Sequence, residues 1–174
     1  MVIRIARDSG RFTFIARCRP DLAIVEGDAR LTLAAERPGR FDLLVVDAFS
    51  SDSIPLHLLT REAFDVYART LARRGVIAMH ITNRYLDVEP VIATIAAERG
   101  WSGRIRHFLP DEAAQARDAQ ESRWLVLAPD EARLSEVLRA SGARPGEWAP
   151  LTRRPGFPVW SDDFSSVLPL LSFR

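Results

Sequence analysis

The 174-residue chain is 47% hydrophobic and 27% charged, the balance of an ordinary globular protein, which excludes a disordered tail, a collagen-like fibre and a disulfide-stapled miniprotein. Its length suggests a single domain over residues 1–174, and no apolar run approaches the roughly 20 residues of a membrane span. All 24 basic residues are arginine, set against 23 acidic ones, and no segment holds the one-sided surplus that tracking a phosphate backbone requires, so nucleic acid is not an expected partner.

The N-terminus, MVIRIARDSG, carries charges within its apolar stretch and no small-residue cleavage site, so it does not read as a signal peptide and a cytoplasmic location is expected by default. The segment Leu22–Glu26, LAIVE, reads as a short strand. Asp28 then suits the N-cap of a helix over 29–36. The clearest strand is Phe41–Phe49, FDLLVVDAF, a continuous apolar run of the kind buried on both faces of a parallel sheet. A helix from about Arg61 to Arg73 follows, with Thr60 as N-cap, an apolar stripe of Ala63, Phe64, Tyr67 and Leu71, and Gly75 at its C-terminal end.

Val76–Thr82, VIAMHIT, reads as the next strand. Asp87 can cap a helix through Glu98, with Pro90 tolerated in its first turn and Gly100 ending it. Two apolar stretches, Arg104–Leu109 and Arg123–Ala128, flank a polar loop. Asp130 caps a last helix closed by Gly142, and the tail from about Arg144 reads as irregular structure packed on the body. Strands alternating with helices predict an α/β fold: a Rossmann-like, mostly parallel sheet with flanking helices. Ligands of such sheets sit beyond the carboxyl ends of the strands, which directs attention to Gly27-Asp28, to 47–52 and to 80–85.

The densest polar cluster is DAFSSDSIP, Asp47 through Pro55. A carboxylate at the mouth of a buried strand is partly desolvated, which makes it a better base, and two such groups, Asp47 and Asp52, would attract a protonated amine. The plainer reading is that Asp47 caps a turn and Asp52 is solvated. Asp28 either accepts hydrogen bonds from an exocyclic amine or ribose or merely caps its helix, and the cap is favoured. His80, with Tyr85 just beyond it, can line a substrate site, although a lone histidine in an apolar strand is more often a satisfied core residue. His57 and His107 are assigned to structure or surface. Asp162-Asp163 either folds over the site or caps a terminal helix. The four tryptophans read as packing anchors. Cys18 is the one cysteine and the three histidines are far apart, so no metal site is expected.

Four blocks carry a family resemblance: GDARLTL, FDLLVVDAFSSDSIPLHLLTREAF, GVIAMHITNRYLDVEPV and WSDDFSS, in that order. Together they resemble the spermidine synthase-like, or polyamine aminopropyltransferase-like, group of the class I S-adenosylmethionine-dependent methyltransferase fold. The likeness is greatest to a bacterial branch often fused to a transporter-like membrane segment. It implies that Asp28, beside Ala29, binds the adenine amine of a sulfonium nucleotide. Asp47 would deprotonate the attacking amine and Asp52 would hold that amine. His80 falls where such synthases usually present a glutamine, and Tyr85 lies on the substrate side. The implied reaction moves an aminopropyl or related group from decarboxylated S-adenosylmethionine, or S-adenosylmethionine itself, to a small amine.

The chain departs from that pattern at its start. No GxGxG occurs, and Met1–Arg7 resembles the helix that follows the family's second strand, so the expected architecture is an N-terminally truncated version of the fold. Strands would then be missing between Leu22–Glu26 and Phe41–Phe49. Three arrangements answer this: the strands close up, another copy of the chain fills the gap as a homo-oligomer, or Val2–Ala6 is itself a strand. Two other functions stay open. One is a non-catalytic relative serving as an interaction or oligomerisation domain. The other is a methyltransferase, against which carboxylates suited to a cationic substrate argue mildly.

Overall fold

The computed structural model describes residues 2–48 and 55–171. Two short helices come first, α1 (Val2–Asp8) and α2 (Phe14–Cys18), so the N-terminal apolar stretch is helical and not a strand. Residues 22–26, expected as a strand, form no regular structure and are exposed. A strand must place its N–H and C=O groups against a neighbour. Among the described residues none pairs with this segment.

The body follows as α3 (Ala29–Ala34), β1 (Phe41–Val46), a single 3-10 turn over Leu56–Leu58, α4 (Arg61–Thr70), β2 (Leu71–His80) and α5 (Glu89–Glu98). It continues as β3 (Ser102–Phe108), α6 (Glu112–Gln115), β4 (Ser122–Ala128), α7 (Glu131–Ala140) and a two-residue β5 (Ala149–Pro150). Helix entries follow their sequence signals. Thr60 Oγ1 accepts the Ala63 amide, and Asp130 accepts that of Arg133, at 3.3 and 2.7 Å. Each such cap contributes about 1 kcal/mol. Val88 occupies the cap position of α5, but the Asp87 carboxylate still accepts the Glu89 amide at 3.3 Å.

The α/β class with flanking helices stands, and the sheet order is β1-β2-β4-β3-β5. The pairing differs from the mostly parallel sheet expected: β1–β2 is parallel, whereas β2–β4, β3–β4 and β3–β5 are antiparallel. The directions explain why. β1, β2 and β3 all run the same way, but β4 returns through the α6 loop and inserts between β2 and β3, separating strands that alternation alone would have made neighbours. Gly75 also moves. It does not end α4, because β2 begins at Leu71 and takes Gly75 through a register break opposite Phe41 and Leu43.

Leu44 and Val46 of β1, Ile77 and Met79 of β2, and Leu125 and Leu127 of β4 face the main core beneath α4 and α5. The other face meets α7 at one end only, through Val76, Val126, Ala128 and Leu134. Strand β1 is therefore buried on one side, contrary to the both-faces reading: Leu43 and Val45 are 53% and 52% exposed. The tail beyond Arg144 carries the two-residue β5 and a 3-10 turn over Leu168–Leu170, and is anchored by Trp160 and Leu170, both fully buried. Among the described residues no helix is long and apolar enough to cross a membrane.

Candidate functional site

Parallel pairing sets Val45 beside Ala78 and Val46 beside Met79. The next positions on each strand are Asp47 and His80, and their side chains meet: His80 Nδ1 lies 2.8 Å from Asp47 Oδ1. On its other side His80 Nε2 lies 2.6 Å from Thr82 Oγ1, which accepts the Arg123 amide at 2.8 Å. The imidazole stacks on Trp124, its cross-strand partner on β4, with ring centroids 4.9 Å apart and planes inclined by 21°. His80 is thus a half-buried polar group at a strand end, fully partnered, and no ordinary core residue.

Asp47 is 57% exposed, so the desolvation expected at the strand mouth is not what shapes it. Its described partner is an imidazole. Asp52, expected as the second carboxylate, lies outside the described residues.

A cleft of about 390 Å³ opens between the outer edge of β1, helix α3 and the segment leading into it. Gly27, Ala29 and Thr32 line one wall, Asp47 and Ala48 the rim, and Tyr67 the floor. The Tyr67 hydroxyl donates to the Leu58 carbonyl at 3.0 Å, and burial pushes its phenol pKa up, so it stays neutral. The lining is largely apolar with carboxylates at its margins, as in a small-molecule site where few polar groups fix orientation.

Asp28 caps α3, as the favoured reading had it: its Oδ1 accepts the Leu31 amide at 2.9 Å. Its Oδ2 meets His57 Nε2 at 3.0 Å. The Leu31 amide, with His57 beside it, holds the Asp28 carboxyl below the ordinary range. Neither Asp28 nor Tyr85 lines the cleft, although Asp28's neighbours Gly27 and Ala29 do. Tyr85 is exposed, with the Arg84 guanidinium 5.8 Å from its ring centroid.

Asp162, from the tail block, does fold back onto the body. Its carboxylate receives Arg30 through both terminal nitrogens, at 2.6 and 2.7 Å, and the Thr60 hydroxyl at 2.8 Å. Arg30 also donates to the His57 carbonyl at 3.2 Å. The start of α3, the start of α4 and the tail are thereby tied together beside the cleft.

Sequence reasoning missed Thr82, Trp124 and Arg30 as members of these clusters, and it assigned His57 to structure or surface without naming its partner Asp28. A usable signal existed for His80. Aligning FDLLVVD with VIAMH as parallel neighbours brings Asp47 level with His80. Nothing comparable foretells that Asp162 reaches Arg30.

The fold is similar to that of a solved protein described as a probable spermidine synthase from Corynebacterium glutamicum ATCC 13032, with a TM-score of 0.55 and 15% sequence identity over 85% of this chain. The chain spans 57% of that protein's length. No family model matches the sequence, and no curated protein matches it. The likeness is one of fold alone.

Proposed function

We propose that the chain acts as a spermidine synthase-like transferase, moving an aminopropyl or related group from a sulfonium nucleotide to a small amine. One observation carries the reading: Asp47, at the carboxyl end of the parallel β1–β2 pair, stands on the rim of a cleft that also reaches Gly27 and Ala29. Ligands of open α/β sheets occupy this end of the strands. Decarboxylated S-adenosylmethionine is the donor that the fold likeness favours.

In the reaction, the lone pair of a neutral amine attacks the carbon next to the sulfonium. The N–C bond forms as the C–S bond breaks, and the C–S electrons return to sulfur, which leaves as a neutral methylthio-nucleoside. Asp47 takes the proton that the incoming ammonium must lose before its lone pair is free to attack, and the secondary ammonium formed keeps its positive charge. Asp47 also attracts the cationic amine before attack, and the cleft supplies proximity and alignment. Asp28 and Ala29 take the adenine end, with Asp28 exchanging its His57 contact for the adenine amine. Asp52, His80 and Tyr85 belong to the acceptor side.

Calorimetric titration with methylthioadenosine, decarboxylated S-adenosylmethionine and S-adenosylmethionine tests the reading, together with chromatographic detection of methylthioadenosine released in the presence of diamines. Binding and release of that product support it. No heat and no product with any donor overturn it. Methyl transfer instead would appear as S-adenosylhomocysteine formed from S-adenosylmethionine.

The edge of β1 favours a second reading, an interaction or oligomerisation role. Its outer backbone groups are unpaired among the described residues, and Leu43 and Val45 are exposed on the face that α7 leaves open. A monomeric mass by analytical ultracentrifugation would remove it.

A further inference from the structure

The hydrogen bonds around His80 determine where its proton sits. An ionised carboxylate only accepts, so the imidazole nitrogen 2.8 Å from Asp47 Oδ1 is the donor. In the neutral imidazole a donating Nδ1 leaves Nε2 as the acceptor, so the Thr82 hydroxyl, which also accepts the Arg123 amide, donates its hydrogen to Nε2 at 2.6 Å. Neutral His80 is therefore fixed as the Nδ1–H tautomer, the minority form of an unconstrained histidine. The Trp124 ring stacked on the imidazole fixes its plane. The Ile81 amide, bonded to the Arg123 carbonyl at 2.8 Å, fixes the backbone that carries it. This chain of contacts starts in β4 and ends on one oxygen of Asp47. Among the described residues the other oxygen, Oδ2, has no hydrogen-bond partner, and Asp47 borders the cleft.

We propose that His80 is the positioning residue of this site: its Nδ1–H anchors Asp47 Oδ1, so that Oδ2 is held ready for the proton of the incoming amine. The inference rests on the reading of Asp47 as the base and adds to it a defined orientation and the residues that impose it. Asp47 and Thr82 together set the tautomer, and Trp124 sets the ring plane. Without His80, a carboxylate 57% exposed would rotate freely and spend much of its time turned to water. A misplacement on the order of 1 Å at a reacting group can cost about 100-fold in rate.

The test has two arms. Nitrogen-15 NMR of the imidazole reads the tautomer directly. His80 is expected as Nδ1–H in the wild-type protein, with that preference weakened in Thr82→Val and lost in Asp47→Ala. A wild-type His80 carrying its proton on Nε2 overturns the proposal. In the kinetic arm, His80→Leu is expected to lower kcat by about 100-fold with KM for the sulfonium nucleotide little changed. His80→Asn, whose amide nitrogen can stand where Nδ1 stands, should recover much of that loss. Unchanged kcat in a folded His80→Leu protein overturns the positioning role while leaving the function intact. Should the wild-type protein turn over no donor, the functional reading fails, and the tautomer arm still decides whether His80 holds Asp47.

Discussion

The Asp162 carboxylate takes both terminal nitrogens of Arg30 across 132 positions of sequence, at 2.6 and 2.7 Å, and so fastens the tail to the first turn of α3. Two parallel N–H···O contacts fix relative orientation as well as distance. The Thr60 hydroxyl adds a third contact from the N-cap of α4.

The pair gives the tail an acid-sensitive attachment. Arg30, then Thr60, hold the Asp162 carboxyl below its ordinary value. Because the folded-state pKa is depressed, the contribution is fully present above the unfolded value of about 3.9 and is lost as pH falls through the folded value. Asp162 is 44% exposed, so solvent screening keeps that contribution below about 1 kcal/mol, or roughly 2–4 °C in melting temperature. Asp162→Asn should lower the melting temperature by that amount near neutral pH and converge with wild type once acid protonates the folded-state carboxylate. Parallel curves over the whole range would show that the pair does not titrate with folding.

Glu89 predicts a larger effect. It is 7% exposed, and both its oxygens are used: Oε1 accepts the Thr152 amide at 2.7 Å and Oε2 accepts from Arg123 at 2.8 Å. Arg123 also reaches Asp87, and Asp87 reaches Arg154 in the tail, at 3.0 and 3.3 Å. Glu89→Leu strands the Thr152 amide and half of the Arg123 fork. Breaking a buried ion pair from one side costs about 3–5 kcal/mol, so the urea midpoint should fall sharply with little change in slope. Glu89→Gln keeps an acceptor for Thr152 and should cost less. Equal losses in the two variants would mean that packing, and not the polar network, holds this helix end.

How far the sequence disclosed this molecule depends on whether a feature is local. Thr60, Asp28 and Asp130 cap the helices they precede, and Gly100 and Gly142 end theirs at positive φ, because a cap is settled within four residues. Sheet partners are settled elsewhere in the chain. The run Leu22–Glu26 has strand composition but no strand partner among the described residues, and the apolar run LLVV of β1 is buried on one face. The insertion of β4 between β2 and β3 depends on a loop return that no periodicity reports. The candidate site divides the same way. Asp47 and His80 stand at the ends of legible strands, whereas Thr82, Trp124 and Arg30 matter only through contacts made across the sheet or across the chain.

Gly75 marks the register break between β1 and β2. A Cβ there would stand 2.9 Å from both the Phe41 carbonyl oxygen and Leu71 Cδ2, and 3.0 Å from the Ala72 carbonyl oxygen. Two of those three atoms are backbone and cannot swing aside. Overpacking of this kind costs about 1–3 kcal/mol, so Gly75→Ala should destabilise the fold by that amount in urea unfolding. The shift would propagate along β1 toward Asp47, and the amide resonances of 43–47 should move. A variant as stable as wild type would show that the break can slide.

Asp47→Asn separates chemistry from architecture at the proposed centre. The substitution keeps the volume, and its amide oxygen can still accept from His80 Nδ1, so the relay that ends at Asp47 has no reason to rearrange. What it removes is the capacity to take a proton from the incoming ammonium and the negative charge that draws that cation in. Loss of a positioned general base typically costs about 100- to 10,000-fold in turnover. The expected outcome is a fall in kcat of that order with the calorimetric affinity for methylthioadenosine unchanged, because the adenine end of the cleft lies at Gly27–Ala29 in this reading. Loss of nucleotide binding together with turnover would instead make Asp47 part of the cleft's shape, and unchanged turnover would assign the proton to another acceptor.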